Sequence, residues 1–254
     1  KLYNMEGTEL LPYQQDNTLF NTELKIDYVT VEKADVNTAM IRVEINNPQE
    51  LNVTSIDIEY MDIQIEKNIT ENGKTYIDLV GKPQRYYDSY TITKIKYEQN
   101  GKEEELDEEA KVDMMFFKEI NSFEDWQQID DSTAQNYMLM TDIDFEGKIN
   151  PNVNVSIGRL ETSGEMHTLK NLTIKEDITN GISKFGFIKE AKSSIKNIKF
   201  ENITITKTVS NSYLGLISRN TAQMDNVVFE NITLNVKSSS YIGIIAYNTS
   251  EELS

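Results

Sequence analysis

Asp142 and Asp144 are the residues whose spacing best suits metal chemistry. They occupy alternate positions of a predicted strand over residues 137–145, so both carboxylates project from one face. Calcium prefers such oxygen ligands, so the chain is expected to have no cofactor, with a calcium ion at this pair as the one alternative. The alternative is that the pair caps an edge of the fold or faces solvent.

The other reactive residue types predict no catalytic site. The sequence contains one histidine, His167, and no cysteine. A lone histidine cannot form a histidine-rich metal site, and the lack of cysteine excludes disulfides, thiolate nucleophiles and cysteine-bound zinc. Nothing singles out an acid and a base among the 42 acidic residues. The chain is therefore predicted not to be an enzyme, and a catalytic domain of a larger protein would lie C-terminal to it.

An arginine followed by two tyrosines is a candidate ligand-binding group. Arg85, Tyr86 and Tyr87 would offer a guanidinium and two rings on which a sugar can stack. Packing of these rings against a core is the stronger interpretation, because alternating aromatic residues in strands usually pack. Tyr90 follows at the position of the tyrosine corner of fibronectin-type modules, where the hydroxyl bonds to backbone of the preceding loop.

The net charge limits the classes of partner. Lys and Arg number 25 against 42 Asp and Glu, which gives a formal charge of −17. Such acidity argues against nucleic acid, which needs clustered basic residues, and against docking on anionic lipid. No apolar run is long enough for a membrane span, so membrane insertion is not predicted either.

Short strands with turn punctuation predict a β-sandwich over residues 23–119, after an extended N-terminal segment at 1–22. Apolar residues alternate with polar ones, for example at Ile41, Val43 and Ile45, which is typical of a half-buried strand. Asn-Gly pairs at 72–73 and 100–101 indicate type I′ hairpins, because both residues tolerate positive φ. About seven strands in this length favour an immunoglobulin-like or fibronectin type III-like sandwich.

Repeats of 28 or 29 residues occupy residues 120–254. A glycine followed by two apolar residues recurs at Gly186, Gly215 and Gly243. A second motif, Phe-Glu-Asn-Ile-Thr, occurs at 200–204 and again at 229–233. Each repeat holds two or three short strands and no amphipathic helix, so it must bury its apolar face against its neighbours.

These repeats predict the first coils of a right-handed parallel β-helix. Stacking would place Phe200 over Phe229, and Asn202 over Asn231, about 4.8 Å apart along the axis. A short capping helix is expected from Ser122, which has an acidic residue three positions later. The series stops within a repeat, so the β-helix is expected to be incomplete and the chain to be a fragment with further domains C-terminal to it.

The Gly-centred repeats followed by Ile-Lys-Asn-Ile at 195–198 resemble the Glug-type repeats of Gram-positive surface proteins. The order of sandwich, helix entry, Tyr-x-Leu-x-x-Asp-Ile-Asp strand at 137–144 and repeats is similar to the non-catalytic N-terminal region of IgA-cleaving zinc metalloproteases. That resemblance implies an extracellular or cell-surface location and an accessory role. The zinc motif of that family, His-Glu-x-x-His, is absent from this sequence.

The sequence therefore predicts a non-catalytic extracellular surface module of a larger bacterial protein, such as a secreted metalloprotease, with a role as a spacer, in adhesion or in substrate recognition. A host protein or a glycan is the expected partner. Two alternatives remain open at this point. One is a receptor-binding fibre derived from a phage or tail, and the other is a polysaccharide lyase or glycosidase of β-helix type.

Overall fold

In the structure, a computed structural model, the regular secondary structure of the described residues is almost entirely β-strand, which confirms the all-β class. The structure describes residues 2–3, 9–10, 23–34, 37–130, 132–148, 151–176, 184–207, 211–236 and 239–249. The chain divides into two compact units. The first comprises Lys1–Lys82 with Tyr90–Val112, and the second comprises Pro83–Ser89 with Asp113–Ser254.

The first unit consists of antiparallel sheets. Its strands are β1 (Leu2–Tyr3), β2 (Glu9–Leu10), β3 (Lys25–Ala34), β4 (Ala39–Asn46), β5 (Asn52–Ile58), β6 (Met61–Glu71), β7 (Lys74–Pro83), β8 (Tyr90–Gln99) and β9 (Lys102–Val112). Strands β1 and β2 pair with each other, and the rest of the predicted segment 1–22 lies outside the described residues. The larger sheets have the orders β3-β4-β7-β6 and β5-β8-β9.

Alternation along the strands sets the two faces of these sheets. In β4, Ile41, Val43 and Ile45 are buried, while the residues between them are exposed or half-buried. β-Branched residues at every second position favour the extended backbone and supply the apolar face. Both residues of each Asn-Gly pair, at 72–73 and 100–101, have positive φ, as type I′ hairpins require.

The second unit consists of parallel strands and one short helix. Its elements are β10 (Lys118–Ile120), α1 (Phe123–Gln127), β11 (Gln135–Leu139), β12 (Ile143–Asp144), β13 (Val155–Thr162), β14 (His167–Lys170), β15 (Thr173–Glu176), β16 (Lys184–Phe185), β17 (Ile188–Lys196), β18 (Ile198–Lys207), β19 (Asn211–Asn220), β20 (Gln223–Asp225), β21 (Val228–Val236) and β22 (Ser239–Ile245).

These parallel strands form two sheets that the chain visits in turn. One sheet runs β10-β11-β13-β17-β19, with β16 and β22 also paired to β19 and β20 paired to β17. The other runs β12-β14-β18, with β15 and β21 also paired to β18. The register joins Leu169 to Phe200 and Phe200 to Phe229, so equivalent positions of successive repeats become neighbours.

Helix α1 begins as the sequence predicts. The Ser122 hydroxyl accepts a hydrogen bond from the Asp125 amide at 3.1 Å, and the Asp125 carboxylate accepts one from the amide of Asn121. These bonds satisfy amides at the helix start. The indole of Trp126 is fully buried and stacks on Phe187 with ring centroids 4.8 Å apart. Within the described residues α1 is the only helix, and it is far too short to cross a membrane.

Candidate functional site

The aspartate pair at β12 is engaged by the neighbouring strand. The Asp142 carboxylate accepts the Thr168 amide at 2.9 Å and lies 3.4 Å from Nδ1 of His167. The Asp144 carboxylate accepts hydrogen bonds from the backbone amide of Glu146 and from the side-chain amide of Asn171. These hydrogen bonds lower the pKa of Asp144 below its usual range. Both carboxylates therefore have partners in the protein, and calcium binding at the pair stays a prediction.

The described residues contain no cluster of three or more His, Asp and Glu side chains arranged to hold a metal ion. His167 is half-buried in β14, where its amide donates to the carbonyl of Asn197 at 3.1 Å. Its position is accounted for by this pairing and by the neighbouring Asp142.

A ladder of asparagine side chains joins the parallel strands of one sheet. Nδ2 of Asn231 donates to Oδ1 of Asn202 at 2.9 Å, and Nδ2 of Asn202 donates to Oδ1 of Asn171 at 3.1 Å. Asn171 in turn donates to Asp144. All three asparagines have φ between 53° and 59°, a left-handed conformation that asparagine tolerates better than most residues. The predicted pair Asn202 and Asn231 thus belongs to a longer chain of hydrogen bonds.

The extension of this ladder to Asn171 and Asp144 was missed at the sequence level. A signal exists, because Asn171 follows Leu169 and Lys170 as Asn202 follows Phe200 and Glu201. A second ladder joins Asn226 to Asn197, with Nδ2 to Oδ1 at 2.9 Å, and both residues have positive φ.

Stacked aromatic rings and glycines accompany the asparagines. The rings of Phe200 and Phe229 stack 5.4 Å apart with an interplanar angle of 10°. A Cβ added at Gly186 would lie 2.5 Å from the carbonyl oxygen of Gly215, and one added at Gly215 would meet the carbonyl oxygen of Gly243 in the same way. Side chains at these glycines would therefore separate neighbouring strands.

The candidate platform of Arg85, Tyr86 and Tyr87 lies in the segment Pro83–Ser89 of the second unit. All three residues are half-buried. The backbone on both sides of Tyr86 is fixed, because its amide donates to Oε1 of Gln135 at 3.2 Å and its carbonyl accepts the Asn136 amide at 2.8 Å. The structure therefore holds the segment in place and leaves each of the three residues partly accessible.

Tyr90 is separate from that group. It opens β8 in the first unit and is 3% exposed, so its ring belongs to the core. Its predicted role as a tyrosine corner stays a prediction.

Asp88, next to the tyrosines, is the acceptor of a polar network within the second unit. Arg159 donates to it from Nε at 2.6 Å and from Nη2 at 3.2 Å, and Nδ2 of Asn136 donates at 2.9 Å. Partial burial alone would raise the pKa of Asp88, but these hydrogen bonds hold it below its ordinary value. Nη1 of Arg159 also donates to Ser194 at 3.1 Å, so the network joins the 83–89 segment to three strands, β11, β13 and β17.

A cleft of about 380 Å³ lies on the solvent-facing side of the four-stranded sheet of the first unit. It is lined by Tyr28, Thr30, Arg42, Glu44, Lys67, Ile69, Glu71, Tyr76 and Asp78. In the strand register, Tyr28 and Tyr76 lie on either side of Glu44. The sequence patterns did not reveal this cleft, because its residues are outward positions drawn from four strands.

Ion pairs fix three charged residues of the cleft, Arg42, Glu44 and Asp78. Arg42 donates to Asp78 from Nε at 2.7 Å and from Nη2 at 3.0 Å, and its Nη1 lies 2.7 Å from Glu32. The bond to Arg42 is the main cause that lowers the pKa of Asp78, and the bond to Asp78 is the main cause that raises the pKa of Arg42. Glu44 is paired with Lys74. The cleft therefore holds oriented donors and acceptors whose charges are largely balanced.

Comparison with known families, with curated proteins and with solved structures finds no match for this chain. The structure by itself defines an all-β protein of two units, one antiparallel and one built of parallel repeats.

Proposed function

We propose that the chain is a non-catalytic extracellular surface module of a larger bacterial protein, which binds a host protein or glycan and serves as a spacer. One observation carries this proposal. Among the described residues, the asparagine side chains of the repeats hydrogen-bond one strand to the next, as in the ladder from Asn231 to Asp144, and form rows rather than a common point where a substrate could react. Such a repeat region supplies rigidity and surface, which suits a spacer or a binding module.

In the same proposal the first unit is an immunoglobulin-like sandwich. If β3 to β9 are labelled A to G in chain order, the two sheets have the strand orders A-B-E-D and C-F-G. This is the order of constant-type immunoglobulin domains. The alternating buried residues of both sheets support the packing of two apolar faces against each other.

The second unit is, in this proposal, part of a right-handed β-helix. The repeated pairing of residues about one repeat apart, such as Phe200 with Phe229 and Gly215 with Gly243, supports a coil of 28 or 29 residues. Right-handedness follows from a general rule, since parallel strands joined by a crossover are right-handed in about 98% of cases.

The resemblance to Glug-type repeats and to IgA-cleaving metalloproteases supports a location outside the cell of a Gram-positive bacterium. A secreted or wall-anchored zinc metalloprotease is our preferred larger protein. The catalytic residues of such a protein would lie in a different domain, and this chain would contribute to recognition or to placement.

The proposal is tested with the full chain and a heat-unfolded sample as control. Each sample is applied to immobilised extracellular matrix proteins and to a printed array of host glycans. Each is also incubated separately with acidic polysaccharides and calcium. We expect saturable binding by the folded chain to a subset of the immobilised molecules and no release of unsaturated sugars. Absorbance from unsaturated products would instead identify a lyase, and a trimer in sedimentation would identify a fibre. Absence of binding to every surface would refute the proposal.

A further inference from the structure

We propose that the cleft on the four-stranded sheet, defined above by Tyr28, Arg42 and their neighbours, is a binding site for a neutral saccharide. This inference rests on the proposed binding function and assigns that function to one place and one class of ligand.

The cleft presents apolar surface where a soluble domain usually avoids it. Tyr28 is 67% exposed and Ile69 is 38% exposed, and Tyr76 lies between their strands. Exposed rings that line a concave surface commonly mark a binding site. A tyrosine offers an apolar face with a hydroxyl at its end, and this combination suits a sugar ring, which has C–H groups on its faces and hydroxyls around its edge.

The polar residues of the cleft suit sugar hydroxyls, since Glu44 lies between the two tyrosines and the Arg42–Asp78 pair lies two positions along the same strands. The guanidinium of Arg42 has five N–H groups, and its bonds to Asp78 and Glu32 do not exhaust them. Each carboxylate oxygen of Asp78 and Glu44 has two lone pairs, so it can accept a second hydrogen bond from a ligand. Because the ion pairs already fix these side chains, a ligand would bind without the loss of side-chain freedom that free charged residues would suffer.

The charge balance of the cleft favours a neutral ligand over an anionic one. Two cations, Arg42 and Lys67, stand against three anions, Glu44, Glu71 and Asp78. The chain as a whole carries a charge of −17, which repels sialylated or sulfated sugars. A cavity of about 380 Å³ is at the small end of ligand sites, which span about 300 to 1,000 Å³. The cleft therefore matches one or two sugar units at the end of a glycan.

The site is tested by saturation-transfer difference NMR with the full chain. The probes are galactose, mannose, N-acetylglucosamine, lactose and maltose, with 3′-sialyllactose as the charged counterpart of lactose. The variants are Tyr28→Ala and Arg42→Lys, and the control is Tyr241→Ala, which removes another exposed tyrosine from the second unit (Tyr241 is 53% exposed). Tyr28 lies on the surface, so its replacement should leave the fold intact, and circular dichroism verifies this.

We expect at least one neutral sugar to bind. Tyr28→Ala should weaken that binding tenfold or more, Arg42→Lys should weaken it several-fold because the planar donor fork is lost, and Tyr241→Ala should leave it unchanged. Equal or tighter binding of 3′-sialyllactose than of lactose would overturn the neutral class. A random peptide library serves as a further probe. If Tyr28→Ala abolished peptide binding and left sugar binding unchanged, the cleft would bind peptides and the saccharide assignment would be overturned.

The two proposals fail in different ways. If the chain binds glycans or matrix proteins but Tyr28→Ala has no effect, the cleft assignment is wrong and the binding function stands. If the folded chain binds neither the sugars nor any surface used to test the proposed function, both are wrong.

Discussion

Replacement of Asn202 separates the two reasons for asparagine at the ladder positions. Its side chain makes two ladder bonds, one to Asn171 and one from Asn231, and its φ is 53°. Asn202→Ala removes both bonds and places a residue with a Cβ, but without the amide, in the left-handed region. Asn202→Gly removes the same bonds at a position where glycine has no steric penalty.

The expected losses of stability follow from the lost hydrogen bonds and from the left-handed backbone conformation. An exposed hydrogen bond between two side-chain amides contributes about 0.5 kcal/mol, the low end of the usual range, so the two hydrogen bonds together contribute about 1 kcal/mol. The left-handed conformation costs alanine about 1 kcal/mol more than glycine. We therefore expect the free energy of unfolding of the second unit to fall by about 2 kcal/mol in Asn202→Ala and by about 1 kcal/mol in Asn202→Gly.

The assay uses the single tryptophan of the chain. Trp126 is fully buried in the second unit, so its fluorescence during urea unfolding follows that unit. The control is Asn235→Ala, because Asn235 is also exposed on β21 but has an ordinary strand conformation, and a change within about 0.5 kcal/mol is expected there. Equal losses in the alanine and glycine variants would refute the backbone argument. Losses no larger than the control would refute a stabilising ladder.

Three further predictions concern the second unit. Gly215→Ala should lower its free energy of unfolding by about 1 to 3 kcal/mol, because the new Cβ would collide with the carbonyl of Gly243, and an unchanged urea midpoint would contradict this close approach. The pKa of Asp88 is lowered in the folded state, so its charge stabilises the unit above the ordinary aspartate pKa of about 3.9 and this contribution is lost as the pH falls through the lower folded value. Between pH 5 and pH 2, Asp88→Asn should therefore show a flatter decline in melting temperature than the wild type, and parallel curves would refute a role for the Arg159 pair. Trp126→Phe should lower the free energy of unfolding by about 2 to 4 kcal/mol, because the smaller ring leaves a void in the core. Circular dichroism during urea unfolding measures this loss, and a loss below about 1 kcal/mol would contradict tight packing.

The regular parts of the fold could be predicted because each has a strong local signal. Alternation at Ile41, Val43 and Ile45 predicts a strand with one buried face, and the Asn-Gly pairs predict tight hairpins. The repeat spacing predicts neighbours such as Phe200 and Phe229, because chemically identical positions at a fixed interval become neighbours when successive repeats pair.

The cleft could not be predicted, because its residues share no local pattern. Tyr28 and Tyr76 are far apart in the sequence and come together only through the register of β3, β4 and β7. The same holds for Asp88 and Arg159, which lie 71 residues apart. A sequence read alone can place each residue on a face of a strand, but the partner across the sheet depends on the strand order.

The two ladders share one hydrogen-bond direction, which their first acceptors account for. In both ladders each asparagine donates from Nδ2 to the preceding repeat, as Asn231 does to Asn202 and Asn226 does to Asn197. Each ladder begins on a group that can only accept: the carboxylate of Asp144 in one, and the carbonyl of Gly164 in the other, which accepts Nδ2 of Asn197 at 3.3 Å. An asparagine amide can donate or accept, so a row of them has two equivalent directions. An acceptor without N–H groups at one end removes this ambiguity, and every amide must then present its oxygen to the next repeat.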